Sequence, residues 1–225
     1  MWNGFKFGYY RGDDEMTTIS AALPSGRLLE DSKAFLKKIG INVKEPAKRE
    51  LISYENGYAF YFPRAFDVPV YVENGVDIGI CGSDVVLERN NEVYIPLELP
   101  FGKCRMSIIL PENREISFQN MEGYKIATKY PEITKNFFSE KGLKVKILKL
   151  NGAVELAAKT GIADAIVDIV DTGNTIKANN LKEAYKIMDI SAVLLVNRIT
   201  QKTKFDFIND LINKAKNYKN GVKGH

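Results

Sequence analysis

Short β-branched and apolar runs alternate with amphipathic segments of helix length along most of this chain, and that alternation constrains its fold more than any other feature. Residues 19–23, 58–62, 76–80, 106–110, 125–128, 145–148, 165–170 and 192–196 read as strands. Between them, Leu28, Leu29, Phe35, Leu36 and Ile39 share one helical face that stops at Gly40, a suitable C-terminal cap. A second helix fits residues 67–74, with Asp67 able to cap it and Pro69 in its first turn, and a third opens after Ser83. The expected class is α/β.

Two stretches, 75–84 and 161–175, share a plan: glycine at a helix end, a short link containing Asp, an apolar strand, then a small polar turn. That likeness suits two related lobes facing each other across a cleft. The expected organisation is an extension or leader over residues 1–15, lobe I over 16–105 plus 190–225, and lobe II over 106–189. Residues near 103–110 and 188–191 are the candidate crossings.

Charge and rare residues narrow the chemistry. The 32 basic and 28 acidic residues are scattered except toward the Lys-rich end, which argues against a nucleic-acid-binding face. Cys81 and Cys104 are too few and too poorly spaced for a zinc site or a disulfide framework and are expected as reduced thiols. No apolar run is long enough to span a bilayer, and residues 1–16 lack the apolar stretch of a secretory signal, so a cytoplasmic location is expected. The single histidine, His225, is the last residue, which removes Ser-His-Asp triads, Cys-His pairs and His-rich metal sites from consideration. Catalysis is left to carboxylates, Lys, Arg, backbone amides and positioning.

The most informative stretch, residues 165–175, is an apolar strand running through Asp168 and Asp171 into Thr172-Gly173-Asn174-Thr175. Gly173 allows close backbone approach to an anion, the threonines offer hydroxyls, and amides at a helix start favour negative charge. The two carboxylates can accept ribose hydroxyls or help hold Mg2+ bound to a pyrophosphate. An ordinary strand ending in an Asp or Thr cap has the same local appearance. Ser25-Gly26-Arg27 after the first strand offers amides and a cation at a sheet's C-terminal edge, where open α/β sheets bind ligands, although a plain loop with a solvated Arg27 fits too. Arg64, Gly82 with Ser83 and Asp84, Lys103, Arg105 and Lys129-Tyr130-Pro131 also follow strands or crossings, each weak alone. Glu155 stands in the first turn of a helix opened by Asn151, where a plain cap and a favourable first-turn acid also fit.

Taken in order, 23–27, 64–72, 77–82, 102–105, 127–131, 151–155 and 168–175, with Ala178-Asn179 beyond, these stretches resemble the ATP phosphoribosyltransferase family over almost all of residues 16–204. The resemblance implies two lobes of periplasmic-binding-protein type with the active site between them. It implies condensation of ATP with phosphoribosyl pyrophosphate at the start of histidine biosynthesis, with Mg2+ on the pyrophosphate and Asp168 as a candidate ligand to it. It places the phosphoribosyl group on Asp168, Asp171, Thr172, Gly173, Asn174 and Thr175, with Asp168, Asp171 and Glu155 as catalytic residues. Ser25, Gly26, Arg27, Arg64, Gly82, Lys103 and Arg105 are the implied ATP-binding residues. It further implies the short form, working in a hetero-oligomer of dimers with a histidyl-tRNA-synthetase-like regulatory subunit. A solute-binding protein of the same bilobal shape is the competing class, and a nucleic-acid module built on the Lys-rich tail a more distant one.

Overall fold

A computed structural model describes residues 19–47 and 50–222; the expected leader and His225 lie outside them. The first part of the chain forms β1 (Ile19–Ala22), α1 (Leu29–Lys38), β2 (Ile52–Glu55), β3 (Tyr58–Tyr61), a 3-10 turn at Ala65–Asp67, α2 (Val68–Glu73), β4 (Ile78–Gly82), α3 (Ser83–Arg89) and β5 (Tyr94–Glu98). The middle forms β6 (Cys104–Pro111), β7 (Lys125–Thr128), α4 (Pro131–Glu140), β8 (Lys146–Lys149), α5 (Val154–Lys159), β9 (Ala165–Val170), α6 (Asn174–Ala178) and β10 (Leu181–Ile190). The chain then returns through β11 (Ala192–Val196), α7 (Thr200–Thr203) and α8 (Phe205–Val222).

The strands divide into a six-stranded sheet, β2-β3-β1-β4-β11-β5, and a five-stranded sheet, β10-β6-β9-β7-β8. Lobe I carries the first and lobe II the second. The second sheet extends slightly beyond the expected lobe II: Cys104 already pairs with Ile190, so Cys104, Arg105 and Ile190 belong to that sheet. Both faces of each sheet are covered, which explains why the central strands read as unbroken apolar runs. Phe35, Leu36, Ile208 and Leu211 pack on one face of the first sheet, and Val68, Val72 and Val85 on the other. In lobe II, Ile133 and Phe138 lie on one side and Val154, Ala157 and Ile176 on the other.

Each expected strand is present within a few residues, and α1 ends before Gly40, which takes φ +90. Asp67 departs from expectation: it makes no cap bond to α2, and its carboxylate instead pairs with Arg89 at 2.9 Å. Three strands, β2, β5 and β10, were not expected. The first had a usable signal, the Asn56-Gly57 pair, whose φ of 47 and 78 suit a tight hairpin between β2 and β3. Pro96 disguises β5, yet this is an edge strand, where a missing N–H is tolerated. In β10, register shifts at Glu183/Tyr185 and Lys186/Met188 break the two-residue period that would reveal it.

Candidate active site

Turns that follow β1, β4, β7 and β9 meet between the lobes. Behind β1, Gly26 adopts φ +104, and the Ser25 amide donates to the Pro63 carbonyl at 2.8 Å, pinning the turn. Arg27 reaches out from it: Nη1 lies 2.8 Å from Asp171 Oδ2, and Nη2 lies 3.6 Å from Cys104 Sγ. The Arg27 and Asp171 side chains are 51% and 54% exposed, so their ion pair contributes little stability and yields readily to a better anion.

On the lobe II side, Asp168 leaves β9 half-buried, and its Oδ1 accepts the Ile169 N–H at 2.8 Å. Burial pushes its carboxyl up to about 6. Its own amide contact opposes that shift, Glu155 adds to it, and Lys129 pulls it back. Glu155 is thus one of the charges felt at Asp168. It sits in the first turn of α5, directly after Ala153, a non-glycine residue held at φ 49. Such backbone conformations persist where the surroundings enforce them. Gly173 takes φ +80, and an added Cβ would meet nothing within 4 Å. Thr172 Oγ1 accepts the Asn174 N–H at 3.4 Å, while Thr172, Asn174 and Thr175 remain exposed. Because α6 has only five residues, anion binding here rests on amides and hydroxyls more than on a helix dipole.

The remaining expected residues occupy more varied positions. Arg105 is engaged elsewhere: Nε and Nη2 hold the Glu183 carboxylate at 2.7 and 2.5 Å, and Ser107 Oγ donates to the same group. Its Nη1 reaches the Asp171 carbonyl at 3.3 Å, so it braces the loop that carries Asp171. Lys103 is exposed at a lobe crossing, beside a cavity of about 530 Å³ shared with Ser83, Cys104, Asp189 and Ser191. Arg64 is exposed at the start of the 3-10 turn.

Gly82 is explained by its neighbour, since a Cβ there would fall 2.1 Å from Asp84 Oδ1. Asp84 is buried at 3% exposure, near the Tyr130 hydroxyl and the amides of its own turn. Burial raises its carboxyl pKa, and those donors with the nearby Arg27 work against the rise. Asp84 and Tyr130 are weak candidates in the sequence and are not among the residues to which the resemblance gives a role. Tyr130 lies in a stretch that resembles the family and Asp84 just past another, but nothing local shows that one side chain turns inward to meet the other.

Against this geometry, the family model described as HisG: ATP phosphoribosyltransferase matches residues 64–217. The ATP phosphoribosyltransferase of Thermococcus gammatolerans is 58% identical over 190 residues, 84% of this chain and 93% of that protein. The Pyrococcus furiosus protein of the same name is 56% identical over 203 residues, 90% and 98% of the two chains. A chain of the ATP phosphoribosyl transferase (HisG:HisZ) complex from Thermotoga maritima superposes with TM-score 0.77 at 34% identity, covering 89% of this chain and 98% of that one. The substrate binding protein of an amino acid ABC transporter superposes with TM-score 0.60 at 16% identity over 91% and 94%, a likeness of fold alone.

Proposed function

The chain belongs to the ATP phosphoribosyltransferase family, and we propose that its chemistry takes place where Arg27 meets Asp171 across the cleft. It is a pentosyltransferase that condenses ATP with phosphoribosyl pyrophosphate, giving N1-(5-phosphoribosyl)-ATP and pyrophosphate in the first step of histidine biosynthesis. The observation that carries the site assignment is the Arg27–Asp171 contact itself. It brings residues 144 positions apart to 2.8 Å, joining the turn suited to a nucleotide phosphate to the loop suited to a phosphoribosyl group.

In this reading Asp168 and Asp171 accept the ribose hydroxyls of the donor, and the backbone and hydroxyls of Thr172 to Thr175 surround its phosphate. Ser25, Gly26 and Arg27 take the nucleotide phosphates, with Arg64, Gly82 and Lys103 lining the approach. Arg105 acts through the Asp171 carbonyl, holding the donor loop against β10. N1 of adenine attacks the anomeric carbon as the bond to pyrophosphate breaks. A neutral ring nitrogen needs no base to become nucleophilic, which suits a site built without imidazole. The protein contributes alignment, and the carboxylates of Asp168 and Glu155 face the positive charge that develops on the sugar. An incoming polyanion draws Arg27 away from Asp171 and frees both groups for substrate.

Mg2+ fits as an ion carried mainly by phosphate. Among the described residues no group of three His, Cys, Asp or Glu side chains gathers to cage a metal. The Asp168 and Asp171 carboxylates of the donor loop match the one or two protein ligands that Mg2+ on a pyrophosphate requires. Bound there, it would neutralise charge on the leaving group.

A regulatory subunit of the synthetase-like kind and dimers of this chain complete the proposed assembly; the similar Thermotoga maritima chain, solved in a HisG:HisZ complex, supports it. A cytoplasmic setting agrees with this chemistry, and among the described residues no helix is long and apolar enough to cross a membrane. The test mixes the purified chain with ATP, phosphoribosyl pyrophosphate and Mg2+, with and without that partner, and follows product by ultraviolet absorbance. Product that needs both substrates is expected; none under either condition from a folded chain would remove the reading.

A further inference from the structure

We propose that Glu88 is a clasp between the lobes: its carboxylate caps helix α4 in trans, so that finishing this helix and closing the cleft are one event. Helix α4 opens without a cap of its own. Tyr130 stands at the cap position and makes no side-chain cap bond, and its hydroxyl lies toward Asp84. Pro131 has no N–H to offer, and the first bond inside the helix runs from the Thr134 amide to the Tyr130 carbonyl at 3.0 Å. That leaves the amides of Glu132 and Ile133 without helical partners.

Glu88 supplies them from the other lobe. One carboxylate oxygen lies 3.1 Å from both the Glu132 and Ile133 nitrogens, and the other lies 3.2 Å from the Glu132 nitrogen. Burial and the adjacent Glu132 carboxylate raise the Glu88 pKa, opposed by these two amides and by Lys149. Its neighbours make the contact part of a seam. Phe66, on lobe I, packs against the apolar clusters of both lobes. Its ring lies 5.4 Å from that of Tyr130, with the Lys129 ammonium 4.1 Å from its centroid. Arg89, next in sequence to Glu88, holds the Phe66 carbonyl at 3.1 Å.

A Ser, Thr or Asp at the start of α4 would stabilise the helix whatever the lobes were doing. A cap delivered from α3 makes that stabilisation conditional on closure. Tyr130 and Lys129 immediately precede α4, so the same clasp sets where they stand against Asp84 and Phe66. Glu88 is thus a positioning residue for the proposed cleft, and only its kinetic consequence rests on that reading.

The experiment compares the full chain with Glu88→Ala and Glu88→Gln by amide hydrogen exchange, by the distance between labels on exposed sites of the two lobes, and by steady-state kinetics. In Glu88→Ala the Glu132 and Ile133 amides should exchange about tenfold faster, with Phe138 in the same helix unchanged. The label distance should lengthen, and KM for both substrates should rise roughly tenfold while kcat moves less than about twofold. Glu88→Gln, which keeps one acceptor oxygen, should fall between, and it serves if the alanine variant folds poorly. Unchanged exchange at residues 132 and 133 would overturn the clasp, and so would faster exchange with an unaltered label distance, the mark of a cap that holds no lobe. Exchange and distance need no turnover, so they judge the clasp even if the assigned reaction fails its own test.

Discussion

The turn after β4 in lobe I and the turn after β9 in lobe II share a design, an apolar strand followed by a glycine and a short polar helix start, yet the structure uses them in opposite ways. Gly82 sits against its own loop, because the Asp84 carboxylate, with Tyr130 nearby, fills the space a side chain would need. Gly173 faces open space, with Asp171 and both threonines exposed around it. The same local sequence plan therefore yields a packed wall on one side and an accessible cradle on the other. Glycine serves space in the first and backbone conformation in the second.

The largest effect expected from this contrast is on activity. Asp171→Ala should lower turnover by roughly a hundredfold, with weaker donor affinity and an almost unchanged melting temperature, because an exposed pair contributes little to folding. Turnover and donor affinity left intact would remove the central residue of the proposed site. The paired glycine substitutions come next. Gly82→Ala should cost about 1–3 kcal/mol of stability through overpacking against Asp84, a loss read as a melting temperature lower by several degrees. Gly173→Ala should cost only about 1–2 kcal/mol of backbone strain while affecting donor binding more than it affects melting. Equal profiles for the two would erase the comparison.

Acid titration offers a subtler test. Asp168 is pushed from 3.8 to about 6, so the folded chain binds this proton more tightly than the unfolded one. Stability from this group is highest below the ordinary aspartate range and declines as pH rises toward 6, levelling above it. Melting curves of Asp168→Asn should lack that decline, and the wild-type rate should climb through pH 6 as the carboxylate forms. The smallest effect concerns the ion pair: Arg27→Ala should change stability by less than about 1 kcal/mol while weakening ATP more than the donor. Equal weakening of both substrates in binding assays would mean the nucleotide pocket lies elsewhere.

Much of this was legible before any coordinates. The buried strands announce themselves through continuous apolar runs, and the helices through one-sided apolar faces and terminal glycines, since both signals are local. Asp168, Asp171 and the Thr172 to Thr175 loop could be singled out as a candidate anion turn, but an ordinary strand end looks the same locally, and the resemblance to the family alone gave them roles. Arg105 illustrates the limit. As a cation near a crossing it looked free for a phosphate, but its engagement by Glu183 depends on β10, whose two register shifts hide it from any periodicity. Asp84 and Tyr130 were hidden for a related reason, since burial is a property of the packed pair.

By itself, then, the sequence determined the α/β class and the single histidine at position 225, and it nominated turns that could hold an anion, all from residue chemistry and spacing over a few positions. Only the tertiary structure decided that Arg27 meets Asp171, that Arg105 braces a loop, that Asp84 closes one turn while Gly173 opens another, and that Glu88 finishes a helix in the opposite lobe. Those choices depend on which distant segments the packed lobes bring within hydrogen-bonding distance, and no local pattern encodes a partner more than forty residues away.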